Sequence, residues 1–311
     1  MKFYFIIFIS FILSSNSFAN DFIWFTNIPP ESYKSKISTF GMHKLPAIRG
    51  RKGKQSIIQW VKYGKSPFDS EYADSAFMKK MQIHLFNPYG EREKFIIQNK
   101  DGYSAILFDA EIEGFYLLYG IIKDSYNNKI YTKIAKAERL IHKCMNGHGH
   151  VRKRMHHKTK AEIADLELKR LKAKREDFHY FSHSGEVINY KTFFKSKAIR
   201  EAKIKMYSGT DWMKTLKADS DTIFSVQLIN DYFDEWKNFD KNYLLEYTVT
   251  ARFKDSKNNI YTSTYTDFYR PSIIIYKSKL LAWGLFITIA IIGTLIVVFK
   301  RNKSKKYFDY Q

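Results

Sequence analysis

The chain has 311 residues, a formal net charge of +21 and a single cysteine. One cysteine excludes an internal disulfide, so the fold must rest on its apolar core, and the length suffices for two domains of roughly 100–130 residues between two apolar ends. The positive charge suits anionic lipid headgroups or an acidic partner, and equally a solvated basic surface.

The first 19 residues read as a secretory signal. Lys2 supplies a positive start, Phe3 to Leu13 is apolar except for Ser10, and Ser17-Phe18-Ala19 puts small residues at the −3 and −1 positions of a cleavage site after Ala19. The following chain is then extracytoplasmic, which removes nucleic acid as a partner.

Residues 20–140 form the first expected domain, a β-sandwich. Lys80 to Phe86 alternates and meets Asn87-Pro88-Tyr89-Gly90, a turn signal. Short strands are expected at Lys94–Gln98, Tyr103–Phe108 and Gly114–Ile122, with Asp101-Gly102 as the hairpin turn between the first two.

Residues 141–175 are a histidine-rich linker. Seven of the nine histidines lie between positions 142 and 183, and His142, Cys144, His148, His150, His156 and His157 share one short run. Imidazole and thiolate are the usual ligands of nickel, cobalt, zinc and copper. Gly147 and Gly149 let the backbone fold back so that several rings can meet one ion. Arg152, Lys153, Arg154 and Lys158 would repel an incoming cation while keeping the rings neutral, which suits moderate affinity and ready release. Asp177, His179 and His183 form a second small group, with the two histidines as further ligand candidates or as polar residues at a strand start. His43 and His84 stand alone and read as structural. There is no HExxH, CxxC pair or CxxCH, and no acid–base pair stands out, so the chain does not read as an enzyme. After the run, Ala161, Ala164, Leu168 and Leu171 show helical spacing, while Leu166-Glu167-Leu168 fits the start of a strand.

Residues 176–278 form the second expected sandwich, with strands at Ala202–Tyr207, Thr222–Ile229, Leu244–Phe253 and Ile260–Phe268. The expected class is therefore mainly β: two immunoglobulin-like or transthyretin-like sandwiches. An internal echo supports a repeated domain. Lys123-Asp-Ser-Tyr-Asn-Asn128, continued by Ile130-Tyr-Thr132, resembles Lys254-Asp-Ser-Lys-Asn-Asn259, continued by Ile260-Tyr-Thr262. Each follows a strand that opens with Tyr-Leu-Leu, and the Asn pairs tolerate positive φ in a turn.

Within this half, Lys195-Ser-Lys-Ala-Ile-Arg-Glu-Ala202, Gly209-Thr-Asp-Trp212, Thr222-Ile-Phe224 and Leu228-Ile-Asn-Asp-Tyr-Phe233, with Trp236 and Phe239 after it, form a pattern of turns and aromatics. Over Val187 to Ala251 the chain is similar to the second domain of the bacterial periplasmic nickel-uptake family, two-domain β-sandwich accessories of nickel/cobalt transporters. The start Asn20-Asp-Phe-Ile-Trp24 is like the family's mature start, but Asn20 stands where the family usually carries a histidine. The resemblance implies a membrane-anchored accessory that handles nickel or cobalt for a transporter. The ligand set alone leaves copper and zinc open, because the Irving–Williams order favours copper at nearly any such site.

Leu280 to Phe299 is an uncharged apolar run, about 30 Å long as a helix and enough to span a bilayer core, so residues 279–299 read as a transmembrane helix. Lys300, Arg301, Lys303, Lys305 and Lys306 open the basic tail 300–311, which the positive-inside rule places in the cytoplasm. The combined expectation is a single-pass protein of the cytoplasmic membrane whose ectodomain binds a transition metal and serves transporter subunits. The competing function is an adhesive or structural ectodomain with incidental histidines. Mass spectrometry of the mature N-terminus should find it at Asn20, and protease added to spheroplasts should digest everything before the span; a shielded ectodomain refutes this topology.

Overall fold

A computed structural model describes residues 21–40, 44–49, 55–142, 163–171, 181–208, 212–229 and 244–308. The expected signal segment and most of the histidine run lie outside these residues. The described chain is mainly β. Its first half forms β1 (Phe22–Thr26), β2 (Ser38–Phe40), β3 (Leu45–Arg49), β4 (Gln55–Ser66), β5 (Asp69–Tyr72), the short helix α1 (Ser75–Lys79), β6 (Gln82–Phe86), β7 (Ile96–Lys100), β8 (Tyr103–Phe108), β9 (Gly114–Tyr126) and β10 (Lys129–Ile141). The second half forms β11 (Leu166–Arg170), β12 (Val187–Phe194), β13 (Lys197–Ala198), β14 (Lys203–Ser208), β15 (Trp212–Leu216), β16 (Ile223–Gln227), β17 (Leu245–Lys254) and β18 (Ile260–Tyr269), then the helix α2 (Ile273–Phe308).

Turn chemistry sets the hairpins. Asp101 and Gly102 both take positive φ between β7 and β8, as their sequence predicts. Asn127 and Asn128 do the same between β9 and β10, giving a two-residue turn. The matching site in the echo differs. There the loop is longer, only Asn258 is left-handed, and Asp255 Oδ1 accepts from the backbone N–H groups of Lys257 and Asn259.

The strands make three sheets. One runs β2-β3-β4-β8-β7, with β1 and β5 also paired to the long β4. The second is seven-stranded, in the order β15-β14-β17-β18-β10-β9-β6. The third joins β11, β12 and β13, with β16 on β12. The two echo hairpins, β9–β10 and β17–β18, lie side by side in the second sheet through a parallel pairing of β10 with β18, from Tyr131↔Ile260 to Ala137↔Thr266. Strands from both expected domains thus share one continuous sheet. The histidine-rich linker also contributes structure: Ile141 ends β10, and β11 is a strand whose alternation buries Leu166 and Leu168, so the helical spacing there goes unused.

This shared sheet is the middle layer. Tyr116, Leu118, Ile122, Ala135 and Ala137 pack with Ile23, Phe25, Ile57 and Ile106 of the first sheet. Tyr119, Ile121 and Ile134, on the other face of the same strands, join Tyr247, Val249, Tyr261 and Tyr265 against Leu168, Ile188, Tyr190 and Phe224 of the third sheet. Side chains alternate faces along a strand. Tyr131 stands opposite Ile260, so Tyr131 and its echo equivalent Tyr261 point to opposite faces. The two hairpins are therefore related by a rotation about the strand direction, and each finds its partner sheet on the opposite side.

The face of β17–β18 that turns to the first sheet carries Thr248, Thr250, Thr264 and Thr266, all buried. Thr264 Oγ1 donates to the carbonyl of Ile23, 2.6 Å away. On the same face Glu246 Oε2 accepts from Thr26 Oγ1 at 2.7 Å and from the Asn27 N–H at 3.3 Å, tying β17 to β1. Desolvation pushes the Glu246 carboxyl up to about 7 against these hydrogen bonds and the Arg139 and Lys62 cations. Its folded pKa then lies above its unfolded value, so the folded state holds the extra proton between about pH 4.5 and pH 7 and stability falls as pH rises through that window. Glu246→Gln keeps the acceptor oxygen and removes the titration. It should be more stable than the parent at pH 8 by on the order of 1–3 kcal/mol and differ little at pH 4.5, as read by urea unfolding.

Candidate metal centre

Of the expected ligands, Cys144, His148, His150, His156, His157 and His179 lie outside the described residues. The two that are described come to one end of the middle sheet. His142 follows β10 directly and is completely buried, with Nδ1 3.6 Å from Glu113 Oε2. His183 bridges to Arg270, just past β18, and its Nδ1 lies 3.4 Å from Glu186 Oε1. The neighbouring backbone is tied in too: the Ser184 N–H donates to the Arg270 carbonyl and the Arg270 N–H to the Ser182 carbonyl. The Arg270 guanidinium lies 3.4 Å from the centre of the Phe181 ring, in cation–π range. Because β10 and β18 run parallel, His142, just after β10, and the start of α2, just after β18, lie at the same end of the sheet. Among the described residues no three His, Cys, Asp or Glu side chains are grouped as metal ligands. His84 sits half-buried on β6, and desolvation and Arg92 depress its pKa.

α2 contains Leu280–Arg301, a segment long and apolar enough to cross a membrane. Its apolar side chains are exposed all round. Thr288 and Thr294 donate their hydroxyls to the carbonyls of Gly284 and Ala290, one turn back, which satisfies both groups without water.

The polar groups that strand alternation missed lie in the two interfaces of the middle sheet. Facing the third sheet, the buried Lys136 Nζ is 2.8 Å from Glu167 Oε1 and 3.6 Å from Glu138 Oε1. Burial opposes its charge, but Tyr119, Glu138 and Glu167 outweigh that and hold the ammonium above its usual value. Asp267 pairs with Arg170 at 3.6 Å. Facing the first sheet, Arg139 Nε donates to Gln59 Oε1 at 2.6 Å and Nη1 to the carbonyl of Glu138 at 3.1 Å. The only visible signal was charge inside otherwise apolar strands, as in Ile134-Ala-Lys-Ala-Glu-Arg-Leu140, which reads equally as a solvent-facing stripe.

No protein-family model matches the chain, and no curated protein does. Among solved structures, the chain is similar to a crystal structure of mouse protocadherin-24 EC1-3, with 12% identity over 81% of this chain and 90% of that one, at a TM-score of 0.22. It is also similar to extracellular cadherin domains 3-6 of protocadherin gamma B2, with 10% identity over 79% and 65% of the two chains, at a TM-score of 0.17. At such TM-scores neither likeness carries an argument about fold or function. Neither of these structures bears on the nickel-uptake family.

The burial of His142 separates it from His183, which is only half-buried. His142→Ala empties a buried polar site beside Glu113 and should destabilise the protein by roughly 1–3 kcal/mol. His183→Ala should stay within about 0.5 kcal/mol of the parent. Chemical denaturation of the two variants checks both values.

Proposed function

We propose that this protein is a membrane-anchored metal-binding accessory, which captures a transition-metal ion beside the membrane and passes it to a transporter there. The supporting observation is the parallel β10–β18 pair. It brings His142, the first residue of the histidine run, to the end of the sheet from which the apolar helix departs. A metal held by that run would be held close to the bilayer, where a transporter's outer mouth lies. The class of ligand comes from the residues: His142, His148, His150, His156 and His157, with Cys144, in one run, and His179 and His183 after it. Nickel or cobalt is the cargo that the family resemblance implies, with copper and zinc as the competitors that the donor set admits. The ectodomain is read as extracytoplasmic, and the role is binding and transfer without turnover.

Neutral imidazole is the ligating form, so affinity should fall as pH drops through the ring pKa values near ~6.5. Calorimetric titration of the full chain in detergent with Ni, Co, Zn and Cu should show binding at pH 7.5. His148→Ala combined with His150→Ala should weaken it by on the order of ten-fold or more, since two of the candidate nitrogen donors are lost. Equal binding of every metal by parent and variant places the site elsewhere. Absence of binding leaves an ectodomain that recognises a protein partner.

A further inference from the structure

An edge strand presents outward N–H and C=O groups that form a template for one more strand unless something blocks them. β7 is the last strand of the first sheet and is paired on one side only, with β8. The Asp101-Gly102 turn fixes which of its groups are used. In a two-residue hairpin the pair next to the turn, here Lys100 and Tyr103, exchanges both hydrogen bonds, and such pairs alternate along an antiparallel ladder. Lys100, Gln98 and Ile96 therefore bond to β8. Ile97 and Asn99 turn their main-chain N–H and C=O groups the other way, where no described strand or loop meets them.

The usual defences of an edge are missing from β7. It has no proline, no bulge and no charge before its last residue. Other edges of the molecule have such defences. β15, at one end of the middle sheet, carries Lys214 at its centre. β6, at the other end, is partly covered by the returning chain, where the Glu93 N–H donates to the Leu85 carbonyl. β2 has only three residues.

The side chains of β7 define what fits against it. Ile97 stands opposite the core residue Ile106, and Ile96 stands opposite Leu107 on the outer face. Both remain open to solvent, Ile97 by 37% and Ile96 by 69%. A partner docked flat on either face would cover only one of them. A strand added in the plane of the sheet covers both, because its own side chains alternate between the two faces. The ends of β7 set the charge of that strand. Lys94 stands two residues before β7 and Lys100 ends it. Both are exposed, and neither has an ion pair among the described residues, since the neighbouring Asp101 pairs with Lys36. A second copy of this chain, with its net charge of +21, would bring like charge to this edge.

We infer that β7 is a docking edge for an extended segment of a partner protein, which adds to the first sheet as a further strand, apolar at its centre and acidic at its ends. Its main chain bonds to Ile97 and Asn99, its apolar side chains flank Ile96 and Ile97, and its carboxylates meet Lys94 and Lys100. Main-chain hydrogen bonds supply affinity in this mode, and the side chains supply selectivity. The site uses none of the histidine run, so it stands or falls separately from metal binding.

The test uses the full chain in detergent and a fluorescein-labelled peptide, Glu-Thr-Val-Thr-Val-Thr-Glu, read by fluorescence anisotropy. Its binding should be saturable. The same peptide with lysine in place of both glutamates should bind more weakly by on the order of ten-fold. Ile97→Pro removes an outward N–H and leaves the bonds between β7 and β8 in place, so it should weaken binding by on the order of ten-fold or more while the thermal midpoint stays near that of the parent. Should that variant unfold, Lys94→Glu combined with Lys100→Glu changes only exposed side chains and should reverse the preference between the two peptides. The inference is overturned if the parent does not bind the acidic peptide, if the two peptides bind alike, or if either variant, folded, binds like the parent. It is also overturned if sedimentation shows the parent to be a dimer that Ile97→Pro dissociates, because the occupant of the edge is then a second copy.

Discussion

The parallel pairing of β10 with β18 is the contact on which the rest of this structure depends. Parallel neighbours need a long crossover, and here the whole stretch from Ile141 to Ile260 makes it. The pairing fuses two hairpins of similar sequence into one seven-stranded sheet. It also decides where everything else must go. Two hairpins joined through parallel strands present equivalent residues to opposite faces, so their partner sheets cover opposite sides of a common layer.

A sheet covered on both faces cannot send its polar residues to water. The threonines of β17 and β18 meet this by bonding locally and to backbone, as Thr264 does with Ile23 and Thr248 with Thr266. The charged groups meet it by pairing across layers, Lys136 with Glu167 and Arg170 with Asp267. Buried pairs of this kind contribute little net stability against an apolar substitute, but breaking one leaves a stranded charge. They are also directional, so they help fix how the three layers register. Tyr190 and Tyr247, hydroxyl to hydroxyl at 2.8 Å, do the same between the middle and third sheets without charge.

The same pairing ends before either strand does. Beyond Ala137 and Thr266 the strands part, and a few residues further on come His142, His183 and the start of α2. A strand running parallel to the last strand before a membrane helix delivers its C-terminal end to the same side as that helix. Topology thus places His142 at the same end of the sheet as the start of that helix.

The sequence by itself determined the mainly β class, the positions of eight of the 18 strands, the turns at Asp101-Gly102 and Asn127-Asn128, and the apolar C-terminal helix. These depend on local causes: period-2 alternation, residues that tolerate positive φ, and length in hydrocarbon. It also made the clustering of potential metal ligands plain, since that is a matter of spacing along the chain. What it did not reveal were contacts between distant segments. Leu166 and Leu168 looked ambiguous until β12 supplied a partner. The burial of the threonine stripe of β17–β18 is of the same kind, because alternation says which residues share a side and not what covers that side. Only the tertiary structure decided that two hairpins 131 residues apart in the echo, Lys123 to Lys254, would lie side by side, because a parallel pairing is specified by no local signal and exists only once both flanking layers have buried it.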